Sequence, residues 1–221
     1  MSILYICRHT ETVFNKMGIF SGKLDTPLSN TGLQQAKKLS KFFIGKRIDV
    51  VITSSLIRTK ETAGIMLADC YADLGFKPPI FTNNLYQSVI ESDFLPIISD
   101  YRLNERSYGI LEGKNKNDML QKYGEQQLQS WRRSWDSAPL YGETLSEVCN
   151  RVKSFFYDIV YPLLEKHQNV LVICHQNSMR AIKILIEEIP SNQVQSVEFK
   201  NGEIISYSEE MICQKANNNK V

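Results

Sequence analysis

The chain opens on an apolar run, "ILYIC" (3–7), and two later runs, "DVVIT" (49–53) and "NVLVIC" (169–174), share its character. Short β-branched and aromatic runs without polar alternation predict strands covered on both faces. Between the first two lies "SNTGLQQAKKLSKFF", with Leu33, Ala36, Leu39, Phe42 and Phe43 at helical spacing behind a cap residue, Ser29. A second helix follows Ser54-Ser55 and ends near Gly75. "GETLSEVCNRVKSFFYDIVYPLLEKH" predicts a long helix carrying Leu145, Val148, Val152, Phe155 and Ile159, and "SMRAIKILIEEI" predicts another. This alternation of strand and helix argues an α/β fold, a three-layer sandwich with a mostly parallel sheet.

The pattern loosens between 76 and 142, where "NDMLQKYG" and "EQQLQSWRRSW" keep helical spacing. That stretch reads as an active-site insertion within a single domain spanning 1–213. "SVEFKNGEIISY" predicts a hairpin turning at Asn201-Gly202, and "QKANNNKV" (214–221) a flexible tail.

Composition narrows the possibilities. The 221 residues are 43% hydrophobic and 23% charged with a net charge of +2, and no basic run suggests nucleic acid or a membrane surface as a partner. No apolar run reads as a membrane span, and the N-terminus does not read as a signal peptide. The five cysteines are scattered, without disulfide or metal spacing, which points to a reducing cytoplasm.

The candidate chemistry sits where strands end. Two of the three histidines end strand-like runs, His9 in Ile6-Cys7-Arg8-His9 and His175 in Ile173-Cys174-His175. In open α/β sheets ligand sites lie outside the carboxyl ends of the strands. His167, at a helix end, reads as a solvated cap. Metal ligation is weakly supported, because no paired ligand spacing accompanies the two histidines, and the cations Arg8, beside His9, Arg58, opening the helix after the second strand, and Arg180, after His175, would repel a metal. Guanidinium instead grips phosphate in a fork. "GIFSGKL" fails as a P-loop, having three residues between its glycines and Leu24 where Ser or Thr belongs. Cys174 and Arg180 have the spacing of a cysteine phosphatase, but "HQNSM" between them holds no glycine to wrap a phosphate. Arg180 is read as a surface charge or a structural pair. In "WRRSW", residues alone favour an amphipathic helix with Trp131 and Trp135 inward and Arg132 and Arg133 in solvent.

"RHTETVFNKMGIFSGKLDTPLSNTG", "TSSLIRTKET", "LNERSYGILEGKNK", "YGEQQLQSWRR" and "CHQNSMRA" together resemble, in order, five blocks of the histidine phosphatase superfamily. The resemblance is closest to its short cofactor-dependent phosphoglycerate mutases. It implies that His9 is the phosphohistidine, that Arg8, Asn15, Arg58 and His175 cradle the transferring group, and that Glu105 is proton donor and acceptor. Ser21, Gly22, Arg106, Tyr108, Lys116, Arg132, Arg133, Gln176 and Asn177 would surround the rest of the substrate. Arg132 and Arg133 would lie near its carboxylate.

The activity implied is interconversion of 3-phosphoglycerate and 2-phosphoglycerate, primed by 2,3-bisphosphoglycerate and independent of metal. Neighbouring cations would keep His9 neutral, and arginine with protonated histidine would stabilise the transferring charge. The alternatives are a phosphatase of small phosphorylated metabolites on the same scaffold, or a non-catalytic sensor of them. Thr10 and Gln176 replace glycines of the family pattern, and the match weakens after Ile189. The resemblance also implies a homodimer or homotetramer.

Overall fold

The structure, a computed structural model, describes residues 1–74, 76–83 and 93–218. Gly75, read above as a helix end, and residues 219–221 of the tail lie outside them. Among the described residues one sheet contains β1 (Ile3–Arg8), β2 (Val50–Thr53), β3 (Pro79–Phe81), β4 (Leu95–Ser99), β5 (Val170–Cys174) and β6 (Ile204–Ser208). Their order is β3-β4-β2-β5-β1-β6; every pairing is parallel except that of β6 with β1. The α/β fold with a mostly parallel sheet is therefore as expected. No helix among the described residues is long and apolar enough to cross a membrane.

The nine helices among the described residues are α1 (Val13–Lys16), α2 (Asn30–Leu39), α3 (Ile57–Leu74), α4 (Lys116–Tyr123), α5 (Glu125–Arg133), α6 (Leu145–Phe155), α7 (Tyr161–Glu165), α8 (Gln176–Glu187) and α9 (Glu209–Asn218). Strand side chains alternate between the two faces of the sheet. Leu4, Ile6, Val50, Ile52, Val170 and Val172 pack with Val148, Val152 and Phe155 of α6 and Met179 and Ile182 of α8. Tyr5, Cys7, Val51, Leu171 and Ile173 pack with Ala63, Met66 and Leu67 of α3. Full burial of one such aliphatic or aromatic side chain contributes roughly 1.5–3 kcal/mol. The two cores clamp the central strands, so the strand ends are rigid mounts.

Four features differ from the sequence reading. Pro79–Phe81 and Leu95–Ser99 supply β3 and β4 to the sheet rather than belonging to an insertion. β3 is three residues long, and Pro79 and Pro96 disguise the pair, since proline lacks a ladder donor. In the expected hairpin only β6 is a strand; β1 takes its ladder, and 197–200 has no strand partner. The long helix after Thr144 passes through a π-helical turn at Phe156–Val160. Pro162, just beyond, has no N–H for the carbonyl four residues back, which is a physical cause for the break. Residues 214–218, expected in a loose tail, continue α9.

Candidate active site

Sheet register brings the two histidines together. Arg8 of β1 pairs with Cys174 of β5, so the next residues, His9 and His175, leave the same edge side by side. The His9 backbone N–H donates to the Cys174 carbonyl at 3.0 Å, and the two rings lie 5.1 Å apart, centre to centre. β2 ends one strand over, and Ser54 just past it meets His175.

Hydrogen bonds assign the tautomers. His9 Nδ1 lies 2.7 Å from the Thr10 carbonyl, which can only accept, so Nδ1 carries the proton and Nε2 keeps its lone pair. Thr10 thus serves this function although it is not glycine. Arg58 Nε donates to His175 Nδ1 at 3.2 Å. A guanidinium only donates, so the proton of His175 sits on Nε2, which donates to Ser54 Oγ at 2.7 Å. Burial, then Arg58 and Arg8, push His9 well below its ordinary range. Burial, then Arg58 and His9, do the same to His175. His175 is therefore neutral, not the protonated histidine expected from the sequence: burial and the Arg58 guanidinium both disfavour a cation there.

Two buried neutral histidines set a pH dependence of stability. In the unfolded chain each titrates near pH 6.5, whereas the folded state resists protonation. Stability is thus full above about pH 6.5 and falls as pH drops below it, by up to about 1.4 kcal/mol per pH unit for each histidine. Urea midpoints should decline between about pH 7 and about pH 5. The decline should be shallower when His9 and His175 are both replaced by glutamine; equal slopes would contradict this.

A cavity of about 110 Å³ opens over this edge, lined by Arg8, His9, Asn15, Ser21, Gly22, Arg58, Glu105, Tyr108, Lys116, Arg132 and Gln176, with Ile19 and Phe20. Arg8 Nη1 donates to the Phe199 carbonyl at 2.6 Å, while its Nε is buried without a partner. An unpaired guanidinium N–H in a cavity of this charge suits an anion. Arg58 is fixed by the Gly22 and Leu24 carbonyls at 2.8 and 2.9 Å. Gly22 sits at φ +50°, and a Cβ there would lie 2.1 Å from Glu112 Oε1. Only glycine fits that turn. Asn15 accepts from Thr12 N–H and Asn201 Nδ2, which leaves its own amide N–H groups for the cavity.

Glu105 is buried, and one of its oxygens is fully engaged. Oε1 accepts from Arg106 N at 2.8 Å, Asn177 Nδ2 at 3.0 Å and Asn177 N at 3.2 Å. The last of these comes from the N-terminal turn of α8, where the helix dipole favours a carboxylate.

Also lining the cavity, Lys116 Nζ and the Arg132 guanidinium carbon lie 5.8 and 5.9 Å from the Phe20 ring centre. Among the described residues no carboxylate forms an ion pair with either. Burial, then Arg132 and Arg8, lower the proton affinity of Lys116. Mutual repulsion of that kind is relieved by a bound anion.

Four residues implied by resemblance, Arg106, Arg133, Asn177 and His175, do not line this cavity. Arg106 is fully buried and donates to the Glu143 and Ser137 carbonyls. Arg133 pairs with Glu198. Asn177 supports Glu105. His175 is also behind the cavity wall, against Arg58. Sequence reasoning missed the supports: Ser54 on His175, Glu112 beside Gly22, Phe20 near both Lys116 and Arg132, and Asn201, whose amide donates to the His9 carbonyl at 3.1 Å. Ser54 had a signal, its place directly after β2. Burial pushes the Cys174 thiol far up, which removes it as a nucleophile.

An α/β sheet that presents a neutral histidine lone pair inside a nest of arginines defines a phosphoryl-handling site. The chain belongs to the histidine phosphatase superfamily (branch 1), whose profile matches residues 4–78 and 83–211. It is 36% identical over 214 residues to a 2,3-bisphosphoglycerate-dependent phosphoglycerate mutase of Chlamydia abortus, covering 94% of this chain and 93% of that one. A protein of the same name from Methanosarcina acetivorans is 34% identical, with 94% and 92% covered. Among solved structures, the α-ribazole phosphatase of Shigella flexneri superposes with a TM-score of 0.70 at 25% identity, covering 92% and 89%. A mycobacterial glucosyl-3-phosphoglycerate phosphatase gives 0.74 at 21%, covering 94% and 93%.

Proposed function

We propose that the protein is a 2,3-bisphosphoglycerate-dependent phosphoglycerate mutase, interconverting 3-phosphoglycerate and 2-phosphoglycerate through phosphorylated His9. The observation that carries this reading is the number of cations lining one cavity, Lys116 and Arg132 in addition to Arg8 and Arg58. Arg8, Arg58 and Asn15 beside His9 suit the transferring phosphoryl group, and Lys116 with Arg132 suits a second anionic group. Phosphoglycerate has both. The mutase names of the relatives support the same choice.

In this reading, primed His9 gives its phosphoryl group to the free hydroxyl of phosphoglycerate as the N–P bond breaks and Glu105 takes that hydroxyl's proton. The freed Nε2 then bonds to the other phosphorus as its P–O ester bond breaks, and Glu105 returns the proton to the departing oxygen, which leaves the isomer and phosphorylated His9. Arg8 and Arg58 hold the equatorial oxygens throughout. The cations of the cavity also fit 2,3-bisphosphoglycerate, which, when bound, supplies the phosphoryl group that primes His9.

The structural neighbours carry phosphatase names, so hydrolysis of a small phosphorylated metabolite is the competing reading. Arg132→Ala separates the two. It should lower kcat/KM for phosphoglycerate by about 10- to 100-fold, the loss of one charge-assisted contact, and leave hydrolysis of a carboxylate-free ester such as p-nitrophenyl phosphate within about twofold. Equal losses on both would remove the case for a second anion pocket.

A further inference from the structure

Arg180 lies on α8, one turn beyond Asn177, and is 1% exposed. Among the described residues no carboxylate pairs with it. Its Nε donates to the Val197 carbonyl at 2.8 Å and its Nη1 donates to Asn177 Oδ1 at 3.1 Å. A buried guanidinium aimed at an amide calls for a reason, because an isolated charge is expensive to bury.

The direction of the bonds supplies one. A guanidinium has no acceptor, so the Asn177 atom facing it must be oxygen. The amide nitrogen must then face Glu105 Oε1, at 3.0 Å, and Tyr108 Oη, at 3.2 Å. Glu105 Oε1 consequently receives three N–H groups, and among the described residues its hydrogen-bond partners are all donors. A proton on Glu105 belongs on Oε2.

We infer that Arg180 is a positioning residue which, by locking the Asn177 amide, confines the exchangeable proton of Glu105 to Oε2 and sets how readily it is released. The inference rests on the acid–base role proposed for Glu105. Without Arg180 the amide can turn over, presenting Oδ1 to Oε1, and that arrangement is favourable only if Oε1 is protonated. The carboxyl would then hold its proton more tightly and on the wrong oxygen. The other charged or titratable groups around Glu105 are Arg8 on β1 and His9 after it, Arg58 on α3, Arg106 and Tyr108 on its own loop, Lys116 on α4, Arg132 on α5 and Cys174 on β5. None of these bonds to Asn177 Oδ1; Arg180 does.

The test is a carbon-13 titration of the Glu105 carboxyl in substrate-free protein, beside pH profiles of kcat/KM for 3-phosphoglycerate. In Arg180→Met the Glu105 titration and the acid limb should both move up by about one pH unit. Arg180→Lys, which keeps a charged donor, should recover most of the difference. Should Arg180→Met fail to fold, Arg180→Gln answers the same question. It keeps a polar side chain but loses the guanidinium that fixes Asn177 Oδ1, and should move both readouts up. A loss of activity equal at every pH, with the titration unmoved in whichever variant folds, would reduce Arg180 to a packing role and overturn the inference. Full activity of Glu105→Gln would instead overturn the acid–base role, while a shifted titration would still stand.

Discussion

His9→Ala should abolish covalent phosphorylation of the protein and lower turnover by on the order of 10⁴ or more, because the group that forms the bond to phosphorus is gone. The arginines remain in that variant, so phosphoglycerate should still bind. Intact-mass measurement after incubation with 2,3-bisphosphoglycerate reads the phosphorylation, and calorimetry with 3-phosphoglycerate reads binding. Two nearby groups cannot take over: Cys174 is buried with its thiol pushed far up, and the free lone pair of His175 already receives Arg58. A variant that keeps full activity would sink the mechanism.

Glu105→Gln should lower kcat by about 10² to 10⁴, the range that a positioned proton-transfer group supplies. Glutamine keeps the size and an oxygen for the three N–H groups that hold Oε1. It cannot exchange a proton. The signature is therefore a kcat loss with KM little changed, and slow but measurable phosphorylation of His9. A variant whose kcat is unaltered would remove Glu105 from the reaction.

The parts of the site readable in the sequence are those carried by β1 and β5. Both strands are buried on both faces, so their residues are apolar without interruption, and parallel strands end at one edge of the sheet. His9 and His175 stand out for that reason. Arg132 was not readable from its own segment, where it looks like a solvated helix residue. Its position comes from α4 and α5 folding over Phe20, a contact between segments far apart in the chain. Arg106 and Asn177 illustrate the opposite case. Resemblance put them against substrate, yet backbone carbonyls claim Arg106, and Glu105 with Arg180 claims Asn177. Such inward hydrogen bonds depend on side-chain direction, which spacing does not encode. β3 and β4 escaped because short strands containing proline lack the pattern that marks a strand.

The most direct test follows conversion of 3-phosphoglycerate to 2-phosphoglycerate with and without 2,3-bisphosphoglycerate, measuring free phosphate in the same reaction. The mutase account predicts conversion that depends on 2,3-bisphosphoglycerate and is accompanied by little phosphate release. Phosphate release without isomerisation, indifferent to 2,3-bisphosphoglycerate, would contradict it and assign the site to hydrolysis.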